Sequence, residues 1–466
     1  MESMLLGERI LANLPYEPNA QQMMLIAALS RFCAGETGGD TGVFLLNGYA
    51  GTGKTSLTAG LVKALRELGV KVVLLAPTGR AAKVFSSFAG YPASTIHRRI
   101  YSPDPTLGGE GGFGPVCVNP LRDVVFIVDE ASMIGDEPSG SSGGTLLSDL
   151  TEYVYSSPGC RMILLGDTAQ LPPVGASESP AMMPEKLKGM GLKVSRAVIT
   201  ETVRQARKSG ILYNATWLRK AMRIDPLPEP KLTVEGFRDV RLVSGEELPD
   251  ELARSYAEVG EEQTIMVTRS NARAVKYNMA IRGQILMREE ELCVGERLIV
   301  AKNNYLWSAK VEGLDFIANG DIITVSKVYG TEQRYGMRFA DIEAVFDDRP
   351  VSVRCKIVLS SLTSPSHALT VEEINSLAEG VLADAPHISP EASLRQKMRY
   401  LKSDPYFGAL QVKYAYVVTC HKAQGGQWEH VYVDMAGIPP EQQQLDFYRW
   451  LYTATTRATK KLWYVK

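Results

Sequence analysis

Apolar residues bunch into short, β-rich runs at residues 41–47, 71–75, 124–128 and 161–165. Each run gives way to Gly, Asp or Thr, and a stretch with helical character often follows, Ser56 to Leu68 being the first. Continuous apolar strands alternating with helices predict a parallel sheet covered on both faces. Such sheets bind ligands beyond the carboxyl ends of their strands. Gly48–Thr55, Thr78, Asp129-Glu130 and Gly166-Asp167 lie at those ends. A second α/β pattern begins with the strand Thr264–Val267 and the helix Asn271–Ile285. It resumes with Ala415–Val418, Val431–Asp434, the helical Gln442–Thr455 and a last strand, Lys461–Val465. The material between, roughly 320 to 405, holds strand-like pieces (Asp321–Val328, Val351–Ser360) and a charged helical stretch, Val371–Leu401. It reads as a domain inserted into the second unit. Ser102 to Arg122, rich in Gly and Pro, reads as a small insertion in the first, and Pro138 to Gly144 as an exposed connection.

A chain of 466 residues exceeds one ordinary core, which agrees with two units. With 45% apolar and 22% charged residues it is not a mainly disordered protein. A net charge of −1 gives no general support for nucleic-acid binding, so any such surface is local. The six cysteines are scattered without a C-x-x-C pair, which predicts reduced thiols rather than disulfides or a zinc site. The N-terminal stretch lacks a basic region followed by an apolar core, and no apolar run reaches ~18 residues. The expectation is a cytoplasmic protein without a membrane segment.

The first apolar run, Val43-Phe44-Leu45-Leu46, feeds Gly48-Tyr-Ala-Gly-Thr-Gly-Lys-Thr55, a phosphate loop of the form G-x-x-x-x-G-K-[ST]. Its glycines permit backbone angles that a side chain would block, so the loop's N–H groups turn toward phosphate oxygens. Gly48, Ala50, Gly51, Thr52, Gly53, Lys54, Thr55 and Ser56 are thus expected around ATP. Lys54 would reach the β- and γ-phosphates and Thr55 would hold Mg²⁺. The following helix turns its N-terminus to the same place. The strand Val124–Val128 ends in Asp129-Glu130. Asp129 is expected at Mg²⁺, and Glu130 is expected to orient and deprotonate the attacking water. A turn-capping acidic pair is the plain alternative. Gln170, in GDTAQLPPVG, is a neutral amide that can touch the γ-phosphate or its water.

With GYAGTGKT, the segments VDEAS and GDTAQLPPVG resemble those of a superfamily 1 DNA helicase, most similar to the RecD-like and phage Dda-like branch (subclass B), which moves 5′ to 3′. Further segments match in order. Gln22, in PNAQQMML, matches the adenine-reading Q motif, with Gln21 as the alternative register. APTGRAA (76–82) matches motif Ia and ASTIH (93–97) motif Ib. TETVRQ (200–205) matches motif IV, VTCHKAQGGQW (418–428) motif V, and YTATTRA (452–458) motif VI. The resemblance implies an α/β fold of two RecA-like P-loop NTPase domains in tandem. The first would be 1–203, interrupted by a pin at 100–122. The second would be 204–320 with 406–466, carrying an SH3-like insertion at 321–405. Arg204 and Arg457 match the arginine fingers, which stabilise charge on the transferred phosphoryl group.

A DNA-binding face is implied too, since single strands are held by phosphate contacts and base stacking. Thr78, Arg80, Thr95 and His97, with Lys83, would lie on the first domain, and Thr419, His421 and Lys422 on the second. Gln424 would link ATP to DNA. Phe113, amid the glycines of the pin, serves equally as a strand-splitting wedge or as an anchor of the hairpin. Trp428 and Asn304-Tyr305-Leu306-Trp307 read as core aromatics. Implied partners are single-stranded DNA, its junctions with duplex, and single-strand-binding, replisome or repair proteins, for a monomer. The competing readings are a RecD-like subunit of a helicase–nuclease complex and a phosphate-loop switch or small-molecule kinase. The latter class needs neither a second α/β unit nor the two arginines.

Overall fold

The computed structural model describes residues 2–466 except 104–112, 139–142, 202–207, 310, 312–313, 315, 348–350, 390, 438 and 440–443; of Pro103 and Phe113 it describes the backbone. The first domain is a six-stranded sheet in the order Ala93–Thr95, Lys71–Ala76, Val124–Val128, Arg161–Gly166, Gly42–Gly48, Lys193–Ile199. Every pairing is parallel. The central strands are buried on both faces, hence their unbroken apolar runs. On one face Leu57, Leu61 and Leu65 of the helix Lys54–Glu67 pack with Leu6 and Ile10 of Ser3–Ala12 and with Leu25, Ile26 and Leu29 of Ala20–Cys33. The other face is covered by Ile96, Ile100, Leu147, Leu150 and Val154. Lys193–Ile199 carries no apolar run because it is an edge strand with alternating exposure.

The insertion of 102–122 contains a hairpin in which Tyr101–Pro103 pairs antiparallel with Phe113–Val116. The Tyr101 hydroxyl donates to Asp149 Oδ2 at 2.6 Å and fixes the hairpin's base to the helix Leu146–Tyr155. The Phe113 backbone pairs with Pro103; its wedge-or-anchor question concerns a side chain outside the described residues.

The second domain is a five-stranded parallel sheet ordered Val417–Thr419, Thr264–Thr268, Trp428–Asp434, Ala458–Val465, Val240–Val243. A closed five-stranded barrel is inserted after the helix Asn271–Ala280. It comprises Arg297–Val300, Ile322–Arg334, Met337–Phe346, Ser352–Val358 and Leu410–Tyr414. Its first and last strands lie outside the segment 321–405 that the sequence sets apart. Both are short, and the barrel interior is continuous with the second sheet's core through Met266, Ala274 and Val465, so no change of composition marks the border. The charged stretch Val371–Leu401 forms two helices, Val371–Ala383 and Leu394–Ser403, whose Leu377, Val381 and Leu401 pack on Met337, Phe339 and Val358.

The barrel is tied to the second sheet by a buried ion network. Glu296 is fully buried, and both its carboxylate oxygens are taken by Arg282, at 3.0 and 2.8 Å. Arg288 and the Tyr416 hydroxyl add bonds at 3.2 and 2.8 Å. Removing one partner of a buried pair leaves a charge without compensation. Arg282→Met is expected to destabilise this unit by on the order of 3 kcal/mol. A lowered midpoint of thermal unfolding would show it, and an unchanged midpoint would contradict it.

Candidate functional site

The loop Gly48–Thr55 turns between the strand Gly42–Gly48 and the helix Lys54–Glu67. Gly51 and Gly53 have φ of +74° and +81°, a left-handed conformation that favours glycine. A Cβ on Gly53 would come within 2.6 Å of the Tyr16 hydroxyl and 2.7 Å of Gln22 Nε2. Gln22 lies buried under the loop. Its Nε2 donates to the Thr52 carbonyl at 2.9 Å, and its Oε1 accepts from Asn19 N as part of a helix-capping box. Gln21 instead accepts from Thr200 N at 3.0 Å. Thr52 is fully buried and donates to Tyr49 O at 2.7 Å, so its side chain shapes the loop from within. Thr55 is exposed and Ser56 half-buried at the start of the helix.

Three carboxylates converge on Lys54. Its Nζ lies 3.7 Å from Asp129 Oδ1, with both side chains nearly buried. Burial pulls the Lys54 pKa down, but Asp129, Glu130 and Asp167 together outweigh it and hold the ammonium charged. Burial pushes Asp129 and Asp167 up, against the pull of Lys54. Glu130 follows directly in a left-handed turn, φ +52°, and its N–H donates to Asp129 Oδ1 at 2.9 Å. A non-glycine residue in that region is uncommon and gathers at functional turns. Two buried acceptors in this region have no partner, Glu130 Oε2 and Gln170 Oε1. Buried polar atoms are normally bonded. A glycine-lined loop, a buried lysine and orphaned acceptors together fit a triphosphate, its metal and a water.

The second domain supplies the other wall. The Tyr452 hydroxyl accepts from Ala50 N–H at 2.9 Å and donates to Asp167 Oδ2 at 2.6 Å. Leu171 N donates to Thr453 Oγ1 at 2.8 Å, and Gln424 Nε2 donates to Leu171 O at 2.8 Å. Gln424 thus joins motif V to the loop that carries Gln170. Arg457 is buried and donates to Thr453 O, Gly426 O and Thr456 Oγ1, at 3.0, 3.1 and 3.1 Å, all in its own domain. Arg204 lies outside the described residues. Tyr452 opens the segment matched to motif VI, but its role there appears only in its contact across the cleft.

The residues expected at DNA are dispersed. Lys83, Thr95 and Arg98 line a cleft of about 360 Å³ against Phe316, Ala318 and Asp321. Arg80 and Lys83 line a neighbouring one of about 390 Å³ with Arg297, Asp347 and Gln427. Thr419 and Lys422 line a separate, narrow cavity with Lys413. Thr78, His97 and His421 line none of these. The Thr78 and Thr95 hydroxyls cap helices, accepting from Ala81 N and Arg98 N at 3.2 Å each. Burial lowers His97 to about 4, so it is neutral near pH 7, and lowers Lys422 to about 8. The Arg80 guanidinium stacks over Trp428 at 3.9 Å and bridges the two domains.

Two parallel sheets that meet at one phosphate loop form a tandem α/β core of the P-loop NTPase type. A model of an AAA domain matches residues 28–223, and one of a UvrD-like helicase C-terminal domain matches residues 414–465. The ATP-dependent RecD2 DNA helicase of Deinococcus radiodurans is 36% identical over 172 residues, 37% of this chain and 21% of that protein. The ATP-dependent DNA helicase dda of Enterobacteria phage T4 is 26% identical over 343 residues, 68% of this chain and 72% of that protein. A crystal structure of Pif1 helicase from Bacteroides, in complex with ADP-AlF3 and single-stranded DNA, aligns with 96% of this chain and 92% of its own at 16% identity and a TM-score of 0.47. These similarities are to helicases of the RecD and Dda kind. The chain spans about a fifth of the RecD2 relative's length.

Tyr452→Phe removes one hydroxyl and leaves the Ala50 N–H and Asp167 Oδ2 without that partner. The expected cost is about 1–3 kcal/mol of interdomain docking. Faster limited proteolysis of the connections between the domains would reveal it, and an unaltered cleavage rate would exclude it.

Proposed function

We propose that this chain is an ATP-driven motor that moves along single-stranded DNA and unwinds duplex ahead of it. The observation that carries this reading is the phosphate loop packed between two RecA-like domains, with acids on one wall and arginines on the other. Lys54 and the amides of Gly51–Thr55 would hold the phosphates, and Thr55 and Asp129 would hold Mg²⁺. The metal would supply charge neutralisation at the phosphates. Glu130, with its unpaired Oε2, would orient water and take its proton, and Gln170 would hold that water or the terminal phosphate. Arg204 and Arg457 would stabilise the transferred group, which requires the domains to stay closed. Arg457 is bonded within its own domain here, so finger action requires it to exchange those partners.

The DNA track fits the clefts lined by Arg80, Lys83, Thr95 and Arg98, where hydroxyls and cations hold phosphates without reading sequence. The matched relatives named as DNA helicases support DNA as the substrate, and the resemblance of the motifs to subclass B supports 5′-to-3′ movement.

Hydrolysis is expected to rise strongly when a single-stranded DNA oligonucleotide is added; rates indifferent to it would end the motor reading. Lys54→Ala and Glu130→Gln are each expected to lower turnover by on the order of 10²-fold or more, with Glu130→Gln retaining ATP binding. Wild-type turnover in Glu130→Gln would remove that residue from the base role. On matched duplexes, a 5′ single-stranded tail is expected to support strand separation and a 3′ tail is not. The reverse preference would overturn the assigned direction.

A further inference from the structure

The helix Gly210–Ala221 lies directly against the phosphate loop, though it belongs to the opposite domain. A Cβ on Gly51 would come within 3.0 Å of Leu212. Further along, the Arg219 guanidinium sits 4.4 Å above the ring of Tyr49, the loop's second residue. Arg223 donates to the Tyr49 hydroxyl at 2.9 Å. Arg219 is 8% exposed. Its Nη2 donates to Thr200 O at 3.2 Å, while its Nη1 is buried with no partner. A buried charged donor left unpaired costs about 1–3 kcal/mol or more. Such a group is retained where an anion completes it.

Two observations place Arg219 at the hydrolytic end of the loop. The base-side end is occupied by Gln22 and Tyr16, beneath Thr52 and Gly53. Arg219 instead sits over Tyr49, whose neighbour Ala50 donates its N–H to the Tyr452 hydroxyl, itself bonded to Asp167. Burial raises the Tyr452 phenol well above its ordinary value, Asp167 adds to that, and Arg219 pulls the other way. Asp167 in turn feels Lys54 and Glu130.

We propose that Arg219 is a ligand of the nucleotide's terminal phosphate, donating from Nη1, in addition to the two matched arginine fingers. This rests on the reading of Gly48–Thr55 as a triphosphate site. A third cation carried by the second domain would let that domain tell a triphosphate from a diphosphate.

The test compares binding of ADP and of a non-hydrolysable ATP analogue, with Mg²⁺, to the full chain by calorimetry. Arg219→Met, which keeps the bulk and removes the charge, is expected to weaken the triphosphate analogue at least about 10-fold and leave ADP within about 2-fold. Arg219→Lys, which keeps the burial and one charge, is expected to fall between Met and wild type, and it carries the test if the Met variant does not fold. Arg223→Met, which loses only the Tyr49 contact, is expected to keep the wild-type preference. Equal weakening of both nucleotides, no weakening, or the same lost preference in Arg223→Met would overturn the proposal. A wild-type chain that binds neither nucleotide would instead sink the phosphate-site reading itself.

Discussion

Tyr49 follows the first-domain strand Gly42–Gly48 but packs into second-domain core. It shares one buried cluster with Ile211, Ala215, Leu218, Phe447 and Leu451. Burying such a ring is worth about 1.5–3 kcal/mol, and each net hydrogen bond across the cleft adds about 0.5–1.5. The bonds of Tyr452, Thr453 and Gln424 to Ala50, Asp167 and Leu171 are the ones concerned. Parting the domains at the loop therefore costs several kcal/mol. The groups that a nucleotide needs are already in use: Ala50 N–H by Tyr452, Asp129 by Lys54. On the proposed reading, binding at this site would exchange partners rather than add them. Any ligand that favours one set of partners shifts the domain arrangement by its preference for that set.

The same closeness extends to the DNA side. Arg80, from the segment like motif Ia, stacks on Trp428, which ends the segment like motif V. A Cβ on Gly426 would meet Arg80 Nε at 2.4 Å and Trp428 at 2.8 Å, and one on Gly425 would meet Ala81 at 2.8 Å. Only glycine permits this approach. The Gly426 carbonyl accepts from Arg457, and Trp428 N–H donates to the Arg457 carbonyl at 3.0 Å. A short chain of contacts thus runs from Arg80, beside the proposed track, to Arg457, a proposed arginine finger. Its members touch directly, so a change of partners at one end bears on the packing at the other.

What was legible in the sequence follows from where the information is local. Strands buried on both faces must be apolar throughout, so Gly42–Gly48, Val124–Val128 and Arg161–Gly166 announce themselves, and the chemistry sits at their ends. The tandem α/β architecture and the placing of Lys54, Asp129, Glu130 and Gln170 near one another are readable for that reason. The barrel's limits are not, since Arg297–Val300 and Leu410–Tyr414 are too short and too like sheet core. Contacts across the cleft leave no local trace either. Arg219 looks like any helical arginine, and Arg80 looks like a free surface cation until Trp428 is placed beneath it. Trp428, read as a core residue, is fully buried and also a bridge.

The charges divide between the walls. Lys54 faces Asp129, Glu130 and Asp167, so the first wall is acidic in sum. Arg219 and Arg457 are buried cations of the second. With the walls this close and these charges buried, opposite charge holds them together more strongly than it would at an exposed surface. On the proposed reading, a metal-bound triphosphate is the bipolar insert that this arrangement suits. Its cation faces the acids and its phosphates face the arginines, so both attractions are kept while the partners change. Cleavage of the terminal phosphate then removes charge from the arginine side alone. The acidic wall keeps its metal-bearing product while the second domain loses what it was holding. Hydrolysis would therefore loosen one wall selectively, and the domain that loosens carries Trp428, on which Arg80 of the proposed DNA track stacks.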